Sequence, residues 1–210
     1  VLGGISPEKL VSALEGASFE GTRWYGKYLF VHLDSGDWLV LHFGMTGFLK
    51  YSASTEIKEH TRVVFRFTNE YHLEYVNPRR LGTVGLTSDV GRFVEREQLG
   101  VDVLDESLDL RAFEELLGGR RGMIKSALMD QHLMAGLGNI YSDEILFQAG
   151  MHPRTSIADL GEEELKALYE SMHDVLAKSI EAKAEPENLS AGFLIPHREI
   201  GAPCPRCGEE

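Results

Sequence analysis

The sequence predicts an α+β protein with more than one domain, in which a β-sandwich precedes a helical part. From about residue 18 to residue 86, short runs rich in β-branched and aromatic residues alternate with turn signals, which is typical of a sandwich. Beyond Arg92 the spacing of apolar residues becomes helical. Gly91 and Gly100 break the periodicity between Ser88 and Leu104, so we expect the boundary between the two parts there.

The first predicted element is a helix that opens at Ser6-Pro7-Glu8. A hydroxyl N-cap, a proline in the first turn and an acid near the positive end of the helix dipole all favour this start. Leu10, Val11 and Leu14 form its predicted apolar face. The predicted strands that follow are Tyr28–Leu33, Trp38–Phe43, Thr61–Phe67 and His72–Val76. Asp34-Ser35-Gly36-Asp37 has the residue types of a hairpin turn between the first two strands.

Composition limits the class of protein. The 210 residues, 43% of them apolar, suffice for one or two compact domains. No apolar run approaches the ~18 residues that a membrane span needs, and no basic-then-apolar signal peptide is present. We therefore expect an intracellular protein of the cytoplasm and nucleoid, or of the nucleus, with no membrane partner. Two cysteines in a single Cys-x-x-Cys do not form a disulfide framework.

The segment 123–147 carries the most informative pattern in the chain. It holds two helical runs joined by a hinge that contains Gly136, Gly138 and Asn139. Glycines allow positive φ angles, so backbone N–H groups can converge on one point, and a following helix N-terminus adds partial positive charge. The pattern fits a phosphate clamp, and it fits an ordinary helical hairpin equally well. The predicted helices beyond the boundary are Leu108–Leu117, Met123–Asp130, Ile140–Ala149 and a long acidic helix from about Glu162 to Ala182.

This segment resembles the helix–two-turn–helix motif of the formamidopyrimidine-DNA glycosylase and endonuclease VIII family of base-excision repair enzymes. The match lies at Leu128-Met129-Asp130, at residues 136–141 and at Glu144. Further stretches match in the family's order: Gly26–Leu29, Leu41–Gly47, Asn77–Gly82 and Gly201–Gly208. The resemblance implies a β-sandwich over residues 1–90, a helix–two-turn–helix DNA-binding domain over 91–190 and the start of a zinc finger over 191–210. It also implies double-stranded damaged DNA as the partner, and we expect a monomer.

The activity that the resemblance implies is that of a DNA glycosylase with AP lyase activity. Family members flip an oxidised base from duplex DNA, and the amine of an N-terminal proline forms a Schiff base at C1′ before elimination nicks the strand. A glutamate directly after that proline handles protons at the sugar. This chain begins Val1-Leu2-Gly3-Gly4 and resembles the family from a few dozen positions in. We therefore expect that it is truncated at both ends, holds no catalytic residue and is inactive alone.

Several residues occupy positions where the family contacts the DNA backbone. They are Lys27, His42, Lys125, Asn139 and Tyr141. A compact ammonium suits a phosphate, whereas a lone lysine elsewhere is usually a surface charge. A histidine that ends an apolar strand is otherwise most often a buried core residue. Glu144 either faces inward from the second helix or is an exposed neighbour of the apolar residues beside it, and the sequence leaves both open.

Met45, Arg79 and Leu81 occupy the positions of the residues with which the family fills the gap left by a flipped base. An apolar side chain at the tip of a Gly-Met-Thr-Gly loop suits such a wedge, and Arg79 would reach the orphaned base. The alternative for Arg79 is a solvated turn. Leu81 replaces an aromatic residue of many 8-oxoguanine-excising members, and the segment 185–201 is shorter than their covering loop. We therefore expect oxidised pyrimidines, or a broad range of lesions, as substrates.

Cys204 and Cys207 resemble the first half of the family's four-cysteine structural zinc site. Tetrahedral zinc needs four ligands, so this pair alone does not close the site. A Cys-x-x-Cys also occurs in thioredoxin-like redox centres, but these have a βαβ context that this tail lacks. The expected cofactor is therefore structural zinc, with its second pair of ligands missing from the chain.

The net charge of −12 is unfavourable for a protein that holds a polyanion. Much of the acid is clustered outside the matched stretches, as at 162–164, so a local basic groove remains compatible with it. We expect weaker and more salt-sensitive binding than a basic family member shows. The main alternative function is a non-catalytic module that recognises damaged or abasic DNA. A further alternative is a helix–two-turn–helix protein of ribosomal or topoisomerase type, against which the Gly-Met-Thr-Gly and Asn-Pro-Arg-Arg stretches argue.

Overall fold

The computed structural model describes residues 1–209, and the chain separates into two compact units, Val1–Gln98 and Leu99 onward. The first unit is built from two antiparallel sheets and two helices, and the second is mainly helical. The predicted α+β class, with a β-sandwich-like part before a helical part, is confirmed.

The first unit pairs a four-stranded sheet, in the order β1-β2-β3-β7, with a three-stranded sheet, in the order β4-β6-β5. The strands are β1 (Phe19–Tyr25), β2 (Tyr28–Leu33), β3 (Trp38–His42), β4 (Phe48–Ser52), β5 (Thr61–Arg66), β6 (His72–Val76) and β7 (Thr83–Thr87). Helix α1 (Pro7–Leu14) begins at Ser6, whose hydroxyl accepts a hydrogen bond from the Lys9 N–H as predicted. Helix α2 (Val90–Arg96) follows β7.

The central strands of the larger sheet are buried on both faces. Leu29, Leu39 and Leu41 pack in one cluster with Phe65 and Tyr75 of the smaller sheet. On the opposite face, Phe30 and Val40 pack against Val90 and Phe93 of α2. Strands covered on both sides need apolar residues at successive positions, which explains why β2 and β3 alternate only in part.

The predicted strands match β2 and β6 in full, whereas β3 and β5 end one residue earlier than predicted. Strands β1, β4 and β7 were not among the predictions. Because β1 is an edge strand exposed along most of its length, its sequence lacks the apolar alternation that marks a half-buried strand. The prediction that Val11 belongs to the apolar face of α1 is wrong: Leu10 is buried, but Val11 lies one residue further around the helix and is exposed.

The second unit packs its helices around one apolar core. Its helices are α3 (Leu110–Leu117), α4 (Ile124–Met129), α5 (Asn139–Gln148) and α6 (Glu162–Glu181), and a short parallel pair joins β8 (Val101–Asp102) to β9 (Met134–Ala135). The core includes Phe113, Leu128, Ile145 and Met172. Phe193, beyond the last long helix, returns to the same core. Within residues 1–209, no helix combines the length and apolar character that crossing a membrane requires.

Candidate nucleic-acid interface

The candidate residues of the first unit meet at one end of the larger sheet. Strand pairing sets Tyr28 opposite His42, and His42 opposite Thr83. The β1–β2 turn at Gly26-Lys27, the loop after β3 and the loop before β7 therefore share this end. We call the segments 43–47 and 77–82 the wedge loops. The register of the sheet thus places Lys27 and His42 beside the loops that carry the predicted wedge.

The three predicted wedge residues lie on these two adjoining loops. Met45 is 70% exposed and Leu81 is 51% exposed, so two large apolar side chains face solvent on adjoining loops. The Arg79 Nη1 atom lies 3.3 Å from the Met45 Sδ atom, so the two loops touch through their side chains. Gly44 adopts a φ of +64°, and a Cβ there would approach the Leu81 carbonyl carbon to 2.8 Å. The close approach of the loops therefore requires glycine at this position.

Tyr75 and Asn77, which the sequence analysis did not single out, hold the wedge loops together. The Tyr75 hydroxyl donates to the His42 carbonyl at 2.6 Å, and the buried Asn77 side-chain amide donates to the Phe43 carbonyl at 3.0 Å. Asn77 also donates to the Tyr75 hydroxyl at 3.1 Å. A Cβ on Gly82 would overlap the Tyr75 hydroxyl and the Asn77 amide. Asn77 lies in the matched stretch 77–82, but the local sequence does not reveal these partners.

Lys27 and His42 are partly buried, and this burial disfavours the protonated, charged form of each side chain. Burial lowers the pKa of Lys27, and burial together with the nearby Lys27 charge lowers the pKa of His42. The His42 Nδ1 atom accepts a hydrogen bond from the Gly44 N–H at 3.3 Å, while its ring lies 4.9 Å from that of Tyr28. In the neutral tautomer that this hydrogen bond selects, Nε2 carries the proton and is a donor.

In the second unit, the hinge between α4 and α5 is organised by Gln131. Its amide nitrogen donates to the carbonyls of Met129 and Leu137, at 2.9 and 2.8 Å, and its amide oxygen accepts from the Gly136 N–H at 3.1 Å. Gly136 has a φ of +121°, as the predicted glycine hinge requires. Asn139 is exposed and is the first residue of α5 rather than part of the hinge, and no side chain caps this helix end within residues 1–209.

Lys125 and Asp143 form an ion pair that links α4 to α5. Arg198 also contacts Asp143, with its Nη1 atom 2.9 Å from the carboxylate. Burial alone would raise the pKa of Asp143, but the hydrogen bonds from Lys125 and Arg198 outweigh it and hold the pKa below its ordinary value. Lys125 is therefore held by Asp143, an acid that no sequence pattern pointed to. Tyr141, the other residue of α5 predicted to contact the DNA backbone with Asn139, is partly buried against the helical core.

Glu144 faces inward, which decides between the two alternatives left open by the sequence. Its carboxylate is fully buried and accepts hydrogen bonds from the Leu194 N–H at 3.0 Å and the Ile195 N–H at 2.7 Å. The Gln148 amide donates to it at 2.7 Å. Glu144 therefore anchors the segment after α6 to α5. Local periodicity contains no sign of this role, because the partners lie fifty residues further along the chain.

Cys204 and Cys207 form a tight turn attached to the end of α5. Backbone N–H groups of Cys207 and Arg206 donate to the Cys204 sulfur and lower the pKa of its thiol, which suits a metal-bound thiolate. Arg206 donates to the Phe147 carbonyl and lies 4.3 Å from the centre of the Phe147 ring. The described residues contain no group of three or more His, Cys, Asp or Glu side chains arranged to hold a metal. Two thiols alone do not close a tetrahedral metal site, which needs four ligands.

Comparison with known proteins covers both units. The formamidopyrimidine-DNA glycosylase N-terminal domain matches residues 1–84, and the formamidopyrimidine-DNA glycosylase H2TH domain matches residues 99–190. The formamidopyrimidine-DNA glycosylase of Moorella thermoacetica is 36% identical over 222 residues, covering 100% of this chain and 81% of the relative. The enzyme of the same name from Thermomicrobium roseum is 35% identical and covers 87% of this chain and 72% of the relative.

Solved structures agree with the sequence comparison. The Lactococcus lactis formamidopyrimidine-DNA glycosylase bound to DNA with an AP site matches with a TM-score of 0.83 at 29% identity, over 97% of this chain and 78% of that chain. The same enzyme in complex with DNA containing FAPY-dG matches with a TM-score of 0.85 at 30% identity, over 97% and 79% of the two chains. Both units of this chain, their fold and their motifs thus agree, and the chain belongs to the formamidopyrimidine-DNA glycosylase family.

Proposed function

We propose that this chain recognises damaged sites in duplex DNA as part of a base-excision repair glycosylase with AP lyase activity. The observation that carries the proposal is the contact between Arg79 and Met45 on the wedge loops, with the exposed Leu81 beside them. Exposed apolar groups next to a guanidinium suit a gap in a base stack, because the apolar groups replace the missing base and the guanidinium bonds to its orphaned partner. The solved relatives bound to AP-site and FAPY-dG DNA support the proposal.

The remaining DNA contacts are proposed to involve the sugar–phosphate backbone. Lys27 supplies a cation and His42 a neutral donor at the end of the larger sheet. Asn139 and Tyr141 belong to the first turn of α5, where backbone N–H groups and the helix dipole favour a phosphate. Lys125 contributes a further cation from α4. We assign recognition of the damaged site to the β-sandwich. We assign the additional contacts to the DNA sugar–phosphate backbone to the helix–two-turn–helix domain.

The covalent steps are proposed by analogy with the family alone. There, an N-terminal proline amine attacks C1′ of the damaged nucleotide and the Schiff base permits elimination. Val1 and Leu2 do not supply the proline and the glutamate of that mechanism, so none of the described residues is assigned to these steps. Zinc, when bound by Cys204 and Cys207 with two further ligands, would tie down the terminal turn and supply no chemistry. We also propose that the enzyme prefers oxidised pyrimidines or accepts a broad range of lesions. Rates of base excision from a thymine glycol duplex and from an 8-oxoguanine duplex would test this directly.

Binding to matched duplexes tests the recognition proposal. Fluorescence anisotropy would compare a labelled duplex that holds a tetrahydrofuran abasic analogue with the same duplex undamaged. We expect the abasic duplex to bind more tightly, and we expect the double variant Met45→Ala/Leu81→Ala to lose the preference while still binding both duplexes weakly. Equal affinity of the wild-type chain for the two duplexes would contradict the proposal. Borohydride trapping of the intact protein on a duplex with a natural, aldehyde-bearing abasic site separates a lyase, which gives a covalent adduct, from a non-catalytic binding module, which gives none.

A further inference from the structure

Trp24 is a large aromatic residue at the same end of the larger sheet as the wedge loops, and the proposed function leaves it without a role. It lies near the end of β1, opposite Leu29 of β2, and is 58% exposed. Its ring centre lies 6.4 Å from that of Phe43, the first residue of a wedge loop. A tryptophan exposed to this extent leaves much of its indole surface uncovered by protein.

The support beneath Trp24 is the group of residues that holds the wedge loops. Trp24 leans on Phe43, whose ring centre lies 5.9 Å from that of Tyr75. Tyr75 in turn bonds to the His42 carbonyl, and Asn77 bonds to the Phe43 carbonyl. A line of aromatic rings therefore runs from the buried Tyr75 through Phe43 to the exposed indole of Trp24. Phe43 thereby contacts the indole and also begins the wedge loop that carries Met45.

The sequence around Trp24 has the sign of charge that a nucleic acid requires. The stretch Arg23-Trp24-Tyr25-Gly26-Lys27 carries two basic residues and no acid, in a chain whose net charge is −12. Surfaces that combine basic residues with exposed aromatic rings bind unpaired bases, because stacking accepts any base and the cations attract the backbone. The competing explanation is that Trp24 only shields the edge of the core, since single exposed apolar residues are common on protein surfaces.

We propose that Trp24 is a stacking platform on which an unpaired nucleobase next to the wedge packs when the duplex opens. The proposal rests on the proposed function, since the base becomes unpaired only when the damaged site is recognised. It adds a DNA contact that depends on the aromatic face and not on charge. Trp24 is thereby a positioning residue, which holds the opened strand beside Met45 and takes no part in bond breaking.

The chain contains two tryptophans, which permits a direct optical test. Trp38 begins β3, at the opposite end of the strand from His42, and its ring centre lies 4.5 Å from that of His32. In the variant Trp38→Phe, all tryptophan emission comes from Trp24. We expect titration with the tetrahydrofuran duplex to quench this emission and to protect it from acrylamide. In the variant Trp24→Phe, the emission of Trp38 should stay unchanged through the same titration.

Affinity provides the second measurement. We expect Trp24→Ala to weaken binding of the tetrahydrofuran duplex by about 5- to 150-fold, the range that one stacked base contributes, and Trp24→Phe to retain most of the affinity. Thermal unfolding of both variants shows whether the fold survives. Unchanged Trp24 emission at saturation, or an unchanged Kd in Trp24→Ala, would overturn the stacking role while leaving the proposed function intact. A wild-type chain that binds abasic and undamaged duplexes equally would overturn both.

Discussion

The side-chain amide of Asn77 donates a 3.0 Å hydrogen bond to the backbone carbonyl of Phe43, thirty-four residues earlier in the chain. This bond joins the two loops that carry Met45, Arg79 and Leu81. Because Asn77 is buried, loss of this bond within the packed loops would leave one of its N–H donors without a partner. The exposed wedge residues therefore depend for their position on a buried hydrogen bond between Asn77 and Phe43.

Replacing Asn77 should loosen the wedge loops. In Asn77→Ala, the Phe43 carbonyl and the Tyr75 hydroxyl lose a donor, and we expect a loss of about 1–3 kcal/mol in the free energy of unfolding. The preference for an abasic duplex over an undamaged one should fall as well. Urea denaturation and anisotropy measure the two effects. Asn69→Ala is the control: this exposed amide donates to the exposed Tyr51 hydroxyl and accepts from the Tyr71 N–H, at the far end of the smaller sheet. An equal effect there would speak against the prediction.

Replacing Glu144 should release the segment that follows α6. Glu144→Ala leaves the N–H groups of Leu194 and Ile195 without their acceptor, and hydrogen bonds to a charged group contribute about 1.5–3 kcal/mol. Hydrogen exchange should therefore accelerate at these two amides. In the control Glu181→Ala, which removes an exposed acid of α6, exchange at the same amides should stay slow. Continued protection in Glu144→Ala would show that the anchor lies elsewhere.

Glu74 should make the stability of the first unit sensitive to acid. Thr61 donates to its carboxylate, burial opposes ionisation, and Lys58, Lys50 and His72 add further contacts, which together lower its pKa from 4.5 to about 2. Because the folded pKa lies below the unfolded value, the stabilisation is fully present above about pH 4.5. It is lost as the pH falls from there through about 2.

Unfolding measured across this pH range tests the prediction. The variant Glu74→Gln cannot ionise, so its free energy of unfolding should be lower than that of the wild type at pH 7. The difference between the two should shrink as the pH falls towards 2. Glu70→Gln, at an exposed position, is the matched control and should follow the wild-type curve. A constant gap between Glu74→Gln and wild type from pH 7 to pH 2 would rule out this carboxylate as the source.

Asp143 should limit the positive charge that the helical unit offers to DNA. In Asp143→Asn, Lys125 and Arg198 lose their shared carboxylate, and we expect tighter duplex binding at low salt. The slope of log Kd against log salt concentration should steepen by about one phosphate contact. Asp174→Asn, which breaks an exposed pair with Lys178 on α6, should leave the slope unchanged. An unaltered slope in Asp143→Asn would mean that Lys125 does not reach a phosphate.

The local sequence predicted the elements whose signals lie within a few residues. Examples are the capped start of α1 at Ser6, the turn at residues 34–37, and the glycine hinge at Gly136, which all appear in the structure. The matched stretches also identified the family before any contact was known. Edge strand β1 escaped prediction because exposed strands do not need the alternation that burial imposes.

Tertiary structure alone decided which side chains hold these elements in place. From the sequence alone, Glu144 could face either inward or outward on its helix. It faces inward because the segment around Leu194 packs over it and donates to its carboxylate. Asn77 finds its acceptor thirty-four residues away. Periodicity and capping reflect neighbours within one or two turns, whereas a buried polar group is satisfied by whichever backbone the fold brings to it. The sequence by itself therefore determined the capped helix start, the glycine hinge, several strands and the family, and the three-dimensional packing decided how the wedge loops and the segment after α6 are held.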